Sequence, residues 1–126
     1  MPGFTDRKPG SESFHIVTMP AEGTLEEFCR AAREKSRAAT RFIEPAAETD
    51  ELIYFSCLPW LEVTAMTNER DLDPDDSVPR INWGRYYESG GRVKLNICLE
   101  LNHRLLDGLH AGRFHEALRA LMEGLD

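Results

Sequence analysis

The chain has 126 residues and a mass of 14.3 kDa, which is the size of one compact domain. Hydrophobic residues make up 41% of it and charged residues 29%, so it has enough apolar material for a core and is not a disordered chain. The formal net charge of -7 argues against nucleic acid and anionic membranes as partners, and no apolar stretch is long enough to span a bilayer. We therefore expect a globular protein in the cytoplasm.

The amino-terminal residues 1–12 carry two prolines and two glycines among polar residues, which predicts a flexible leader ahead of a domain over residues 13–126. Apolar and β-branched residues then predict a short strand over residues 14–19. Thr24 and Glu27 have the spacing of a capping box, so a helix is expected to begin at this point.

The middle of the chain contains an unbroken apolar run at residues 52–55, which is typical of a strand that is buried on both faces. Pro59 interrupts this run, so residues 60–66 are predicted to form a bent continuation or a second strand. Residues 67–78 are acidic and rich in turn formers, which indicates a surface loop.

The carboxy-terminal third predicts a strand over residues 79–87, a hairpin turn at residues 89–91, and a strand over residues 93–101 in which apolar and polar residues mostly alternate. Asp107 then precedes a final helix, whose apolar side chains recur at helical spacing: Phe114, Leu118, Leu121 and Leu125. These elements predict an α+β fold, a two-layer sandwich of an antiparallel or mixed sheet with helices on one face.

Three polar residues could carry chemistry. His103 follows the alternating strand, where a neighbouring apolar face would favour the neutral imidazole, and a neutral imidazole can act as a general base. A histidine at a strand corner also occurs without any catalytic role. Asp107 is a good helix N-cap, which by itself explains its position. Ser56 ends the buried run; its hydroxyl could bond the backbone or donate to an oxyanion, although no G-x-S-x-G elbow surrounds it.

The other candidate side chains have simpler explanations. The aromatic residues could line a ligand pocket or fill the core: Trp60, Trp83, Tyr86 and Tyr87. The three cysteines are odd in number and lack CxxC spacing, so neither a disulfide framework nor a zinc site is expected. No histidine spacing suggests another metal site, and we expect no metal.

Residues 102–108, Asn-His-Arg-Leu-Leu-Asp-Gly, resemble the HHxxxDG signature of the chloramphenicol acetyltransferase family. The resemblance extends to residues 55–60, Phe-Ser-Cys-Leu-Pro-Trp, and to residues 79–87. Dihydrolipoyl acyltransferase domains share the HxxxDG piece and the fold, but the Ser-x-x-Pro-Trp block favours the chloramphenicol-type branch.

The resemblance implies transfer of an acetyl group from acetyl-CoA to a hydroxyl of a small-molecule acceptor, within a ternary complex and without an acyl-enzyme. It implies that His103 is the general base, that Ser56 bonds the oxyanion, that Asp107 holds the loop of the histidine, and that Trp60 lies in the cofactor channel. It further implies a homotrimer with sites at its interfaces, and a role in antibiotic resistance.

The chain departs from the family pattern at several points. Asn102 replaces the first histidine of the signature, and Asn82 stands where many members carry a threonine that orders water. Family members also carry a further N-terminal region, including an arginine that pairs with the motif aspartate. Asp107 would therefore need Arg104, Arg113 or another chain as its cationic partner.

Two functions remain open from the sequence. The first is an acetyl-CoA-dependent O-acyltransferase, formed by self-association or with a separate N-terminal partner chain. The second is a catalytically silent, truncated relative that acts as a binding or assembly module. Both predict an oligomer, because a sheet without its N-terminal strands would expose edges and apolar surface.

Overall fold

A computed structural model describes residues 1–68 and 73–125 of the chain. Seven strands, two helices and one 3₁₀ turn follow one another in the order β1 (Pro2–Arg7), β2 (Phe14–Thr18), α1 (Leu25–Ala38), the 3₁₀ turn (Pro45–Ala47), β3 (Ile53–Cys57), β4 (Arg80–Trp83), β5 (Tyr87–Ser89), β6 (Arg92–Lys94), β7 (Ile97–Glu100) and α2 (Gly108–Glu123).

Five strands form one open sheet in the order β2-β1-β3-β4-β7. The neighbours β1, β3 and β4 run parallel to one another, whereas β2 and β7 pair antiparallel at the two edges. The buried hydrophobic side chains are Val17, Leu52, Val63 and Ile81. The predicted α+β class with a mixed sheet is confirmed.

Helix α1 lies against one face of the sheet at β2 and β1. Its Ser36 is buried and bonds His15 Nε2 at 2.9 Å, and the Ser36 hydroxyl donates to Asp6, the register partner of His15 on β1. The predicted start of α1 is confirmed: the Thr24 hydroxyl accepts from the Glu27 backbone and the Glu27 carboxylate accepts from the Thr24 backbone. The opposite face of the sheet is not covered by α1.

The predicted flexible leader over residues 1–12 is wrong for residues 2–7, which form β1 between β2 and β3. Backbone hydrogen bonds to two neighbouring strands order this segment, and its composition gives no sign of them. Gly3 allows the Tyr54 ring to approach β1 closely, since a Cβ there would meet the ring at 3.2 Å and the ring would have to shift.

Three other predicted strands need correction. Residues 60–66 form turns and irregular structure, and residues 79–87 are divided between β4 and β5. The alternating segment 93–101 is also split, because β6 pairs with β5 in the hairpin while β7 pairs with β4. Asn96 marks the break, where its side chain accepts from the Tyr87 hydroxyl and donates to the Val63 carbonyl.

The predicted hairpin turn is confirmed, with both Gly90 and Gly91 at positive φ. The predicted final helix is also confirmed and is α2. Within the predicted loop over residues 67–78, residues 69–72 lie outside the described residues, and residues 73–78 are irregular with one turn.

Candidate active site

A row of polar side chains crosses the sheet on the face opposite α1. Ser56 on β3 is the register partner of Asn82 on β4, and Asn82 is the partner of Cys98 on β7. Thr5 lies one residue past the last paired positions of β1 and β3. Since paired residues point to the same side of a sheet, these four side chains share one face.

Ser56 is half-buried and its hydroxyl lies 3.2 Å from that of Thr5. The sequence indicated that the Ser56 hydroxyl needs a partner, for which the backbone is the usual source. A side chain from β1 fills that need instead. Thr5 carried no signal in the sequence, because β1 itself was predicted to be a leader.

Asn82 is the most deeply buried polar side chain in the row, with 2% of its surface exposed. Its Nδ2 has no hydrogen-bond partner among the described residues. A buried amide without a partner is unfavourable by about 1–3 kcal/mol, so its retention beside Ser56 favours a functional use.

His103 lies on a turn that follows β7, and its side chain is exposed. The sequence predicted that His103 lies against the apolar face of the strand. The described residues of one chain do not bury His103 in this way, because the strand ends at Glu100. The His103 Nδ1 lies 3.0 Å from the Leu106 carbonyl oxygen. A carbonyl can only accept, so Nδ1 carries the proton and Nε2 keeps its lone pair in the neutral ring.

The turn of His103 is anchored on both sides of the histidine. Asn102 Nδ2 donates to the carbonyls of Pro74 at 2.9 Å and Asp76 at 2.8 Å. Arg104 forms an ion pair with Asp75 at 3.1 Å. The asparagine that departs from the signature thus fixes the turn to the loop that precedes β4.

Asp107 caps α2, where its carboxylate accepts from the backbone of Leu109 at 2.9 Å and of His110 at 3.4 Å. The Leu109 hydrogen bond is the main reason that the pKa of Asp107 lies below its usual value. Arg104, one of the expected cationic partners, pairs with Asp75 instead, while His110 Nδ1 lies 3.0 Å from the carboxylate. The predicted N-cap is confirmed.

The carboxyl ends of β1, β3 and β4 lie at the same end of the sheet, since these strands are parallel. Trp60 follows β3 and is 64% exposed, with the Arg7 guanidinium 5.6 Å from the centre of its ring. Tyr86 follows β4 and is 66% exposed. A hydrogen bond of 2.7 Å from the Arg85 backbone to the Leu61 carbonyl joins the two loops. This end of the sheet therefore presents exposed aromatic and cationic groups together.

Ser56 and His103 lie towards opposite ends of the sheet. Ser56 is near the carboxyl end of β3, whereas the His103 turn is bonded to the loop that leads into the amino end of β4. Strands β3 and β7 are two strand spacings apart, and Glu100, the end of β7, lies two residues beyond the position in line with Ser56, so strand geometry puts the Ser56 and Glu100 Cα atoms about 12 Å apart. His103 follows three residues later, on the turn. The side-chain hydrogen bonds of Ser56 and His103 go to Thr5 and Leu106, so no hydrogen bond joins the two side chains in the described part of the chain.

The family model for chloramphenicol acetyltransferase matches residues 2–119 of the chain. The chain belongs to the chloramphenicol acetyltransferase family. This match covers β1 as well as the polar row, the His103 turn and most of α2.

Two curated members of the family are distant in sequence but match almost all of the chain. The chloramphenicol acetyltransferase of Bacillus pumilus is 23% identical over 99% of this chain, and that of Streptomyces acrimycini is 27% identical over 96%. The chain spans 58% and 56% of the lengths of these two proteins.

Solved structures agree on the fold. A chloramphenicol acetyltransferase superposes with a TM-score of 0.76 at 21% identity, covering 91% of this chain and 57% of that one. The dihydrolipoamide acetyltransferase of Azotobacter vinelandii gives a TM-score of 0.68 at 19% identity, covering 98% and 54%. That enzyme has been studied for the role of a serine, a histidine and an asparagine in its catalytic mechanism.

Two further observations concern cofactors and location. Within residues 1–68 and 73–125, no group of His, Cys, Asp and Glu side chains is arranged to hold a metal ion. In the same part of the chain, neither helix is long and apolar enough to cross a membrane.

Proposed function

We propose that this member of the chloramphenicol acetyltransferase family transfers the acetyl group of acetyl-CoA to a hydroxyl of a small-molecule acceptor in the cytoplasm. The observation that carries the proposal is the contact of His103 Nδ1 with the Leu106 carbonyl oxygen at 3.0 Å. Because Nδ1 faces this carbonyl, the neutral ring presents Nε2 as an accepting atom on an exposed turn. Nε2 takes the proton of the acceptor hydroxyl as that oxygen attacks the thioester carbon. Collapse of the tetrahedral intermediate then breaks the C–S bond, and the proton held on Nε2 passes to the leaving CoA sulfur to give the free thiol.

Asp107 acts through the turn rather than by touching the reacting atoms. Its carboxylate fixes the start of α2, and the Leu106 carbonyl that holds the histidine immediately precedes it. The position of His103 Nε2 thus depends on the cap. This assigns Asp107 a positioning role.

Ser56 stabilises the tetrahedral oxyanion. Its hydroxyl stands in the polar row beside the buried amide of Asn82, on the sheet face that α1 leaves uncovered. Preorganised donors of this kind typically contribute about 10²–10³ in rate. Because Ser56 and His103 belong to segments two strand spacings apart and lie towards opposite ends of the sheet in one chain, we propose that each site combines Ser56 of one copy with His103 of a second, as in the homotrimer that the resemblance implies.

Acetyl-CoA is proposed to bind at the carboxyl ends of β1, β3 and β4. The exposed rings of Trp60 and Tyr86 offer stacking surfaces for the adenine, and Arg7 and Arg85 offer cations for the phosphates. In open sheets with parallel strands, ligands commonly bind outside these ends. Ser56, near the same end of β3, would then face the thioester.

A second candidate function is a catalytically silent assembly module. Helix α2 exposes apolar side chains, including Phe114, Leu121 and Met122, which favours docking with another chain. The two candidates differ in turnover: the module binds without consuming acetyl-CoA.

The test is release of the CoA thiol from acetyl-CoA, with chloramphenicol and then other alcohols as acceptors. We expect turnover that is lost in His103→Ala and kept in His115→Ala, a matched change on α2. Turnover that survives His103→Ala contradicts the assignment of the base, and absence of turnover with every acceptor favours the assembly module.

A further inference from the structure

We infer that Thr5 is a positioning residue for Ser56, and that it donates its hydroxyl proton to Ser56 Oγ so that the Ser56 proton is left for the oxyanion. The inference rests on the proposed function, in which Ser56 is the oxyanion donor. Its structural basis is the distance of 3.2 Å between the two hydroxyl oxygens, across the neighbouring strands β1 and β3.

The direction of this hydrogen bond decides what Ser56 can do. Each hydroxyl owns one proton, so only one of the two can donate to the other. If Ser56 donated to Thr5, its proton would be used before a substrate arrived. If Thr5 donates, Ser56 Oγ accepts, and its own O–H is free to point at the substrate. A hydroxyl that accepts a hydrogen bond is also polarised into a better donor.

In the described part of the chain, neither hydroxyl has a competing partner. Among residues 1–68 and 73–125, the hydrogen bonds of the Thr5 and Ser56 side chains are limited to this pair. Both residues are half-buried, so access of water to the pair is restricted. The Thr5 hydroxyl is therefore the one protein group in the described chain that holds the Ser56 oxygen in place.

Thr5 is itself held rigidly. Its β-branched side chain has restricted rotation in a strand, and β1 is bonded on both sides, to β2 and to β3. The next residue, Asp6, is fixed on the other face of the sheet by the Ser36 hydroxyl of α1, which also contacts His15. This cluster stabilises the strand from which Thr5 reaches Ser56.

The experiment is a double-mutant cycle in the thiol-release assay. Thr5→Val keeps the shape and removes the hydroxyl, and we expect kcat to fall about tenfold with the KM for acetyl-CoA within about twofold, as for loss of one neutral hydrogen bond. Thr5→Ser restores the hydroxyl and should recover most of kcat. In a Ser56→Ala background, Thr5→Val should cause no further loss, because Thr5 acts through Ser56.

An equal loss from Thr5→Val in both backgrounds, or a Thr5→Ser variant as slow as Thr5→Val, would overturn the positioning role. If the parent protein releases no thiol, the proposed function fails. Crystal structures of the parent and of Thr5→Val then test the inference independently of activity. We expect Ser56 Oγ to leave its rotamer when the Thr5 hydroxyl is absent. An unchanged Ser56 rotamer would overturn the inference.

Discussion

The buried amide of Asn82 leads to a prediction with opposite signs for stability and activity. Asn82 is 2% exposed and its Nδ2 has no partner in the described chain, which is unfavourable by about 1–3 kcal/mol. Asn82→Val removes the amide and leaves a short apolar side chain that suits a strand. We expect the free energy of unfolding to rise by about 1 kcal/mol, which corresponds to a Tm increase of about 3–5 °C for a domain of this size.

The assay is urea unfolding followed by tryptophan fluorescence, with Asn96→Val as the matched control. Asn96 uses its amide, accepting from Tyr87 and donating to the Val63 carbonyl, so its loss should lower the free energy of unfolding. Thiol release should slow in Asn82→Val, because the amide beside Ser56 is gone. A fall in stability of Asn82→Val as large as that of Asn96→Val would refute the reasoning, since it would mean that the Asn82 amide has a partner.

Two further predictions concern titratable groups. Asp107→Ala should weaken the start of α2 in circular dichroism and slow thiol release, whereas Asp107→Asn, an equally good cap, should preserve the helix. Because the Leu109 hydrogen bond lowers the pKa of Asp107, the carboxylate contributes to stability at neutral pH, and this contribution is lost as the pH falls through the lowered pKa. Burial, with a hydrogen bond to Glu48, raises the pKa of Tyr54 to about 12, so in an absorbance titration its phenol should ionise at a higher pH than free tyrosine. The contribution of the neutral phenol to stability should be lost as the pH rises from about 10 to about 12. Ionisation of all three tyrosines near pH 10 in the folded protein, or unchanged stability across that range, would contradict this prediction.

The elements predicted correctly from the sequence are those that local chemistry determines. The capping box at Thr24, the cap at Asp107 and the hairpin at Gly90 each depend on residues within a few positions of one another, and the structure confirms all three. The buried run near residue 53 is also a strand. In these segments the hydrogen-bond partners can be identified from the sequence itself.

The elements missed are those that depend on distant partners. Residues 2–7 become a strand only because β2 and β3 bond them on both sides, and β3 is about fifty residues away along the chain. Likewise, the alternation over residues 93–101 does not show that its two halves pair with different strands.

The candidate site divides in the same way. Spacing explained Asp107 as a cap, and the resemblance assigned roles to His103, Ser56 and Trp60, which remain proposals. The Thr5 contact with Ser56 and the contact of Arg7 with the Trp60 ring both involve β1, so neither could be read from the sequence. The exposure of His103 was also unexpected, because the strand was predicted to continue to residue 101.

The measurement that tests the central claim most directly is complementation between Ser56→Ala and His103→Ala, co-expressed in equal amounts and assayed for thiol release. If each site combines Ser56 of one copy with His103 of another, random mixing leaves about one quarter of the sites with both residues, so activity should recover to about 25% of the parent. If both residues served a site within one chain, every site would lack one of them. Activity no greater than the mean of the two separate variants would contradict the shared site.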